Sequence, residues 1–292
     1  MWTFHPTKMS NKVLVIGAIN IDVTLFAQAP YNLHDSNVVK NHLSVGGVGA
    51  NIARNLSALG SEVTLFAPIG SDPLFKWALS EIHDSGVNLV TLWQGFKSPG
   101  LYINVLDQQR DLFIGFNNVE PLDPTMKYFD ELHDMFLRFD LIVLDANLSA
   151  NALKQLSKLH RKGILACDAV SIEKAKRVFD ILENIDYLKT NRQEFEYLLK
   201  LGFKPLLAKG LTTIVTDGKN PVTVYQGGKK YIFAVPNVAN VQNVSGAGDA
   251  FFSGMLFSLI KGEDLNKQID RAIEAANKVL ESENNTLKGA IT

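Results

Sequence analysis

The stretch Asn243-Val244-Ser245-Gly246-Ala247-Gly248-Asp249-Ala250-Phe251 joins a glycine-rich turn to an acidic residue, and Phe252, Met255 and Leu259 follow at helical spacing. A turn that feeds a helix leaves the N–H groups of Gly246, Ala247 and Gly248 unobstructed at the positive end of the helix dipole, where an anion such as a phosphate can be held. Asp249 falls in the first turn. A carboxylate there can take a proton from a hydroxyl while the neighbouring amides stabilise negative charge building on a transferring phosphoryl group. The same residues also suit an ordinary small-residue helix start with Asp as a cap.

Three other stretches have residue types that could hold a ligand. Val45-Gly46-Gly47-Val48-Gly49-Ala50-Asn51 also precedes a helix, but Ile52 stands where a dinucleotide loop would carry its third glycine. Close backbone approach at Gly47, with Asn51 offering a donor and an acceptor, suits a sugar hydroxyl; a glycine turn needed only for chain reversal is the other reading. In Gly17-Ala18-Ile19-Asn20-Ile21-Asp22, after the first strand, Asn20 and Asp22 stand two apart in extended chain, so both can point to one side and share a diol. An isolated Asn-x-Asp otherwise belongs to turns. In Lys189-Thr190-Asn191-Arg192-Gln193-Glu194, Glu194 could bind Mg²⁺ directly or through water. A capping pair, with Asn191 at the N-cap and Glu194 three residues on, explains that pattern better. No G-x-x-x-x-G-K-[ST] and no H-E-x-x-H occurs, which sets aside a P-loop NTPase and a zinc hydrolase of that type, and the six histidines lack ligand spacing.

These stretches have to be positioned by the elements around them. Strand-like and helix-like runs alternate, the pattern of an α/β fold with a largely parallel sheet. Val13–Ile16 opens it. A helix with Ile52, Leu56 and Leu59 on one face stops at Gly60 before the strand Val63–Ala67. Leu74, Ala78 and Ile82, then Phe129, Leu132 and Phe136, mark two more helices, the second leading to the strand Leu141–Leu144. Leu153, Leu156 and Leu159 precede the strand Ile164–Cys167, and Tyr187–Lys189 and Ile214–Thr216 supply further strands. Val38–Val45 and Leu101–Phe116 break this rhythm with alternating polar and apolar positions, and a turn-like Asp107–Arg110 lies inside the second. They suggest a small antiparallel sheet, either a lid over a cleft or a plain edge hairpin.

Composition narrows the class. Of 292 residues, 29 are Lys or Arg and 30 are Asp or Glu, a balance that argues against binding nucleic acid or an anionic membrane by bulk charge and leaves a small molecule as the expected partner. The apolar run Ala250–Ile260 is well short of the roughly 18 residues a membrane crossing needs. Residues 1–11 read as a flexible lead-in rather than a signal peptide, and 12–292 as one domain. The single Cys167 lies in an apolar run, which fits inert core filler and a cytoplasmic setting.

In this order the motifs resemble the ribokinase-like carbohydrate kinase family, also called PfkB: Gly-x-x-Asn-x-Asp, Gly-Gly-x-Gly-x-Asn, Asn-x-x-Glu, Thr-x-Gly at Thr216 and Gly218, and Gly-Ala-Gly-Asp-Ala-Phe, from about Val13 to the end. Tyr31–Asn37, Gly46–Gly49, Cys167–Ser171 and Asn243–Asp249 are most similar to pseudouridine kinases within it. The resemblance implies a three-layer α/β/α fold with a mostly parallel central sheet and a β-sheet lid, from segments about 22–45 and 98–117. It implies ATP-dependent phosphorylation of a 5′-hydroxyl, here of pseudouridine. Asp249 would be the base and the amides of Gly246, Ala247 and Gly248 the anion hole. Asn20, Asp22, Gly47 and Asn51 would hold the ribose, and Asn37, Leu101, Ile103 and Phe116 would face the base. Asn191 and Glu194, with Asp168 beside them, would arrange Mg²⁺ around the triphosphate; Thr216, Gly218 and Asn277 would border the nucleotide. Lid-to-lid pairing would be a route to a homodimer.

The chain also departs from the pattern. Thr190 replaces the proline of Lys-Pro-Asn, and Pro221 replaces the second glycine of the Thr-x-Gly-x-x-Gly loop, which puts the ATP contacts there in question. Asn243 stands where ribokinases carry an Asp tied to a monovalent-cation site, so potassium activation is not assumed. A ribokinase or another nucleoside kinase is the nearest alternative activity. A sensor that binds sugar or nucleoside without turnover is the other, although such a binder would not need Asp249, Glu194 and the Gly-Ala-Gly turn.

Overall fold

The computed structural model describes residues 11–70, 73–90, 94–96, 100–109, 112–118 and 120–288; apart from Asn11, the expected lead-in lies outside them. The first part of the chain forms β1 (Lys12–Ile16), β2 (Asn20–Ala27), β3 (Val39–Gly46), α1 (Val48–Ala58), β4 (Glu62–Phe66), β5 (Ile69–Gly70), α2 (Pro73–Asp84), β6 (Asn88–Val90) and β7 (Gln94–Phe96). Then come β8 (Gly100–Leu106), β9 (Leu112–Asn117), α3 (Thr125–Phe136), β10 (Leu141–Asp145), α4 (Ala150–Leu156), β11 (Ile164–Asp168) and α5 (Ile172–Phe179). The last part forms β12 (Tyr187–Asn191), α6 (Arg192–Lys200), β13 (Thr212–Asp217), β14 (Asn220–Gln226), β15 (Lys229–Phe233), α7 (Ala247–Ile260) and α8 (Leu265–Leu280).

Among the described residues, nine strands make one sheet in the order β15-β14-β13-β12-β11-β10-β1-β4-β6, parallel except at β13-β14-β15. Its central strands β1, β10 and β11 are apolar along most of their length because both faces are covered, with Asp145 and Asp168 at the carboxyl ends of β10 and β11. Val13 and Val15 of β1 pack with Leu56, Ile82 and Phe252 on one side; Leu14 and Ile16 pack with Leu132, Leu153 and Leu198 on the other. This is the three-layer α/β/α arrangement, and Cys167 is one of its buried core residues. The helix expected to include Leu159 ends at Leu156, capped at its start by Ser149.

From β1 the chain moves outward through β4 to β6 on one side, and later β10, β11 and β12 build the other. The strand order therefore reverses between β1 and β10, and open α/β sheets bind ligands in the crevice beyond the carboxyl ends of such strands.

A separate four-stranded sheet, β3-β2-β8-β9, rises from that crevice. Within it β2 and β3 are antiparallel, β2 and β8 parallel, and β8 and β9 antiparallel. Asp22 pairs with Tyr102, and Tyr102 with Asn117, so these three polar side chains stand in one row on one face. Gln109 N–H donates to Asp107 Oδ1 at 2.9 Å, forming the expected turn, while Arg110 lies outside the described residues. No described helix is long and apolar enough to cross a membrane.

Candidate active site

The glycine turn starts α7 as its spacing suggests. Gly246 is the N-cap, at φ 78, and a Cβ there would run into the Asn285 carbonyl oxygen, so glycine is required on two counts. Asn285 in turn donates from Nδ2 to the Val45 carbonyl at 3.0 Å, which ties the turn to the end of β3. Asp249, 8% exposed, receives a 2.8 Å hydrogen bond from Asn51 Nδ2 at its Oδ2. That contact joins residues 198 positions apart and brings the two glycine-rich segments to one point.

Two cavities meet at this turn. The first, about 310 Å³, is lined by Asn20, Asp22, Gly47, Asn51 and Asp249, and also by Tyr102 and Asn117 of the small sheet. The second, about 460 Å³ and more apolar, is lined by Thr216, Gly218 and Asn277 together with Ala247 and Gly248. Gly246 and Asp249 face one cavity, Ala247 and Gly248 the other, so a single helical turn is their common wall.

Burial raises the Asp249 carboxyl to about 7; the charge of Asp168 adds to this, while Lys189 and the Asn51 hydrogen bond oppose it. Burial raises Asp22 to about 6. A carboxyl whose folded pKa is raised contributes stability below its unfolded pKa, and that contribution is lost as pH rises through the folded pKa. Asp22→Asn should therefore stabilise the unliganded protein by roughly 3 kcal/mol above about pH 6, with the gain fading toward pH 4. Thermal melts across that range read it directly; a variant that melts no higher than the parent at about pH 8 would contradict a buried, desolvated carboxylate here.

Lys189, not singled out by sequence reasoning, proves central. Its Nζ lies 3.0 Å from Asp168 Oδ2, and both side chains are buried. Burial alone would lower its pKa, but the carboxylates of Asp168, Glu194 and Asp249 outweigh that and keep the ammonium charged. A Cβ on Gly248 would sit 3.0 Å from this Nζ, so glycine there leaves room for the ammonium beside the first turn of α7. The sequence signal was the Lys-x-Asn phrase itself, read only for its proline position.

Asn191 and Glu194 form a complete capping box at α6. Asn191 Oδ1 accepts from Glu194 N–H at 2.9 Å, Glu194 Oε2 accepts from Asn191 N–H at 2.8 Å, and Asn191 Nδ2 donates to Glu194 Oε1 at 2.7 Å. Neither residue, nor Asp168, lines either cavity. Among the described residues no three His, Cys, Asp or Glu side chains form a metal cage. Both Glu194 oxygens are engaged by Asn191 and Asp168 Oδ2 by Lys189, so these carboxylates fit Mg²⁺ held through water and substrate phosphates rather than by direct ligation.

Asp145, at the end of β10, was also missed. Its Oδ2 accepts from Ala18 N–H at 3.0 Å and Gly49 N–H at 2.8 Å, and its Oδ1 from Asn147 N–H at 2.9 Å. One buried carboxylate thus ties the segment leading into β2, which carries Asn20, to the first turn of α1, which carries Asn51. Asn147, Val170, Ser171 and Lys174 complete the first cavity.

Asn37 is not brought to either cavity: its side chain closes an exposed loop, accepting from Asn32 N–H at 2.7 Å and donating to the Asn32 carbonyl at 2.9 Å. Leu101, Ile103 and Phe116 do not line the cavity either. Each neighbours Tyr102 or Asn117 in its strand and faces the other way, since a one-residue step in a strand reverses the side chain. Pro221 is the second residue of β14 and does not line the second cavity, and Gly218, at φ 57, supplies the positive φ of the turn. Asn243 Oδ1 accepts from Ser245 N–H at 2.9 Å, a role inside the turn.

Residues 10–288 match the family described as pfkB family carbohydrate kinase. The pseudouridine kinase of Escherichia coli (strain K12) is 30% identical over 263 residues, 86% of this chain and 84% of that protein. The guanosine-inosine kinase of Exiguobacterium acetylicum is 26% identical over 308 residues, 95% of this chain and 97% of that one. Among solved structures, a carbohydrate kinase from Agrobacterium tumefaciens superposes with a TM-score of 0.81 at 28% identity, covering 94% of this chain and 92% of its own. A nucleoside kinase of the ribokinase family from Methanocaldococcus jannaschii shares the fold with a TM-score of 0.80 at 19% identity, covering 97% of this chain and 95% of its own.

Proposed function

The chain belongs to the pfkB family of carbohydrate kinases, and from that premise we propose that it transfers the terminal phosphoryl group of ATP to the 5′-hydroxyl of pseudouridine. The observation that carries this reading is the shared wall: one α7 turn fronts a polar cavity through Asp249 and an apolar cavity through Ala247 and Gly248. A hydroxyl in the first cavity and a triphosphate reaching from the second would meet across it.

Asn20, Asp22 and Asn51 hold the ribose hydroxyls, and the primary alcohol rests against Asp249. Asp249 accepts its proton as the oxygen attacks, and the amides of Gly246, Ala247 and Gly248 receive the charge that develops on the transferring group. The apolar walls Val222, Phe251 and Ile273 suit an adenine ring, with Asn277 for its polar edge. Glu194 and Asp168 would hold Mg²⁺ through water, and the ion would neutralise phosphate charge when bound. Asp249 favours a kinase over a sensor through its place: it stands in the α7 turn that separates the two cavities, where a base is needed for transfer across that wall.

The likeness to the pseudouridine kinase favours the C-nucleoside, and the further polar lining of Tyr102, Asn117, Asn147 and Ser171 favours a nucleoside over a free sugar. ADP release measured with pseudouridine, uridine, ribose and adenosine at matched concentrations tests it. Pseudouridine is expected to give the highest kcat/KM; a preference for ribose or uridine would refute the substrate while leaving the phosphotransfer chemistry intact.

A further inference from the structure

Gly17 and Gly49 belong to the stretches that carry Asn20 and Asn51, yet neither glycine lines a cavity. They meet each other instead. A Cβ on Gly49 would lie 2.8 Å from Gly17 Cα, and a Cβ on Gly17 would run into the Asp145 carboxylate. Gly49 does not have a positive φ, so its backbone would accept alanine, a better helix former; only the close approach excludes a side chain.

Asp145 takes the room these glycines leave. It is 1% exposed and lines neither cavity, and its two oxygens accept the N–H groups of Ala18, Gly49 and Asn147. Gly47, the N-cap of α1, makes no side-chain cap, so a carboxylate 96 positions beyond Gly49 serves that helix start. A cap alone would need only Gly49. Asp145 also holds Ala18, two residues before Asn20, and Asn147, which lines the first cavity, so three segments bearing cavity residues are gathered on one side chain.

The spacing this fixes bears on binding. Asn20 Oδ1 and Asn51 Oδ1 are buried with no hydrogen-bond partner in the protein, and both residues line the first cavity. Two such oxygens satisfy the hydroxyls of one ligand only at a set separation. Asn51 also donates to Asp249 at 2.8 Å, so a shift of α1 reaches the base.

Resting on the reading of the first cavity as the site of the hydroxyl substrate, we propose that Asp145 is a positioning residue for the transfer. Together with the Gly17–Gly49 contact it sets the separation of Asn20 from Asn51 and, through Asn51, the placing of the substrate hydroxyl against Asp249. Ala50 N–H donates to the Ala18 carbonyl at 3.1 Å across the same joint, so loss of Asp145 should displace the two segments without parting them.

Asp145→Asn keeps the shape, but its amide NH₂ must face at least one of the three N–H groups, because those donors approach both oxygens. Kinetics of the full chain are read with MgATP and whichever of pseudouridine, uridine, ribose and adenosine the parent uses best. The KM of that substrate is expected to rise roughly ten- to a hundredfold, the scale of a misplacement of about 1 Å, while KM for ATP stays within about twofold. Val222 and Ile273 of the second cavity stand on β14 and α8, outside the three segments that Asp145 gathers. Calorimetric binding of the hydroxyl substrate without ATP should weaken in parallel. Gly49→Ala keeps the carboxylate and its donors but forces Gly17 and Gly49 apart, so it should reproduce the KM rise even if Asp145→Asn does not fold. A role in stability alone would lower the melting temperature and the active fraction and leave both KM values at the parent's. An unchanged substrate KM in either folded variant, or an ATP KM that rises as steeply, would overturn the positioning role and leave the kinase reading intact. A parent that phosphorylates none of the four compounds would overturn that reading, and the role of Asp145 with it.

Discussion

Asp249→Asn is expected to lose about two to four orders of magnitude in turnover while still binding nucleoside, the range usual for removal of a general base. Asparagine has nearly the same shape, and its carbonyl oxygen can still accept the Asn51 hydrogen bond, so the cavity wall is retained. What it cannot do is take a proton. The parent enzyme should show kcat/KM rising as pH passes through about 7, because the burial-raised carboxyl must be ionised to act. The residual activity of the variant should lack that rise. A coupled ADP assay across pH, with calorimetry for binding, reads both effects. Normal turnover by the variant would move the base elsewhere and leave the α7 turn with a binding role only.

Lys189→Met should have the largest effect on stability, about 3–5 kcal/mol near neutral pH, because it leaves Asp168, buried, without its ion-pair partner and removes the cation facing Glu194 and Asp249. The pH dependence has a definite sign. Without Lys189 the folded pKa values of Glu194 and Asp249 rise further, and a raised folded carboxyl pKa means stability is retained in acid and lost as pH rises through it. The deficit is therefore greatest above neutrality and shrinks toward about pH 4. The same loss should move the rising limb of the rate profile to higher pH, since Lys189 opposes the upward shift of Asp249. Melting curves at acid and alkaline pH, with a rate profile, check the two together. A variant as stable as the parent at about pH 8, with an unmoved limb, would show that the ammonium does not govern these carboxylates.

The two glycine turns, the capping box at Asn191 and Glu194, and the alternation of central strands and helices were legible because each depends on residues within a few positions of one another. Gly246 opens α7, Asn191 caps α6 through Glu194 three residues on, and Leu14 and Ile16 read as buried strand, all from local geometry. The hairpin of β14 and β15 was not legible. Pro221 and the polar run Lys229–Tyr231 mask an edge pair whose exposed positions carry little apolar signal.

The amino-acid sequence by itself determined the chemistry on offer: a carboxylate in the first turn of a helix behind unobstructed amides, polar residues at a strand end, and the family these motifs resemble. Only the tertiary structure decided who meets whom. Asp145 reaches Ala18 across 127 positions and Gly49 across 96, and Lys189 stands among three carboxylates from different elements. Register on the small sheet turned Tyr102 and Asn117 toward the first cavity and Leu101, Ile103 and Phe116 away from it. The physical reason is one of range: capping and turn formation act between near neighbours, whereas burial, pairing register and charge coupling act through space between residues that chain order leaves far apart.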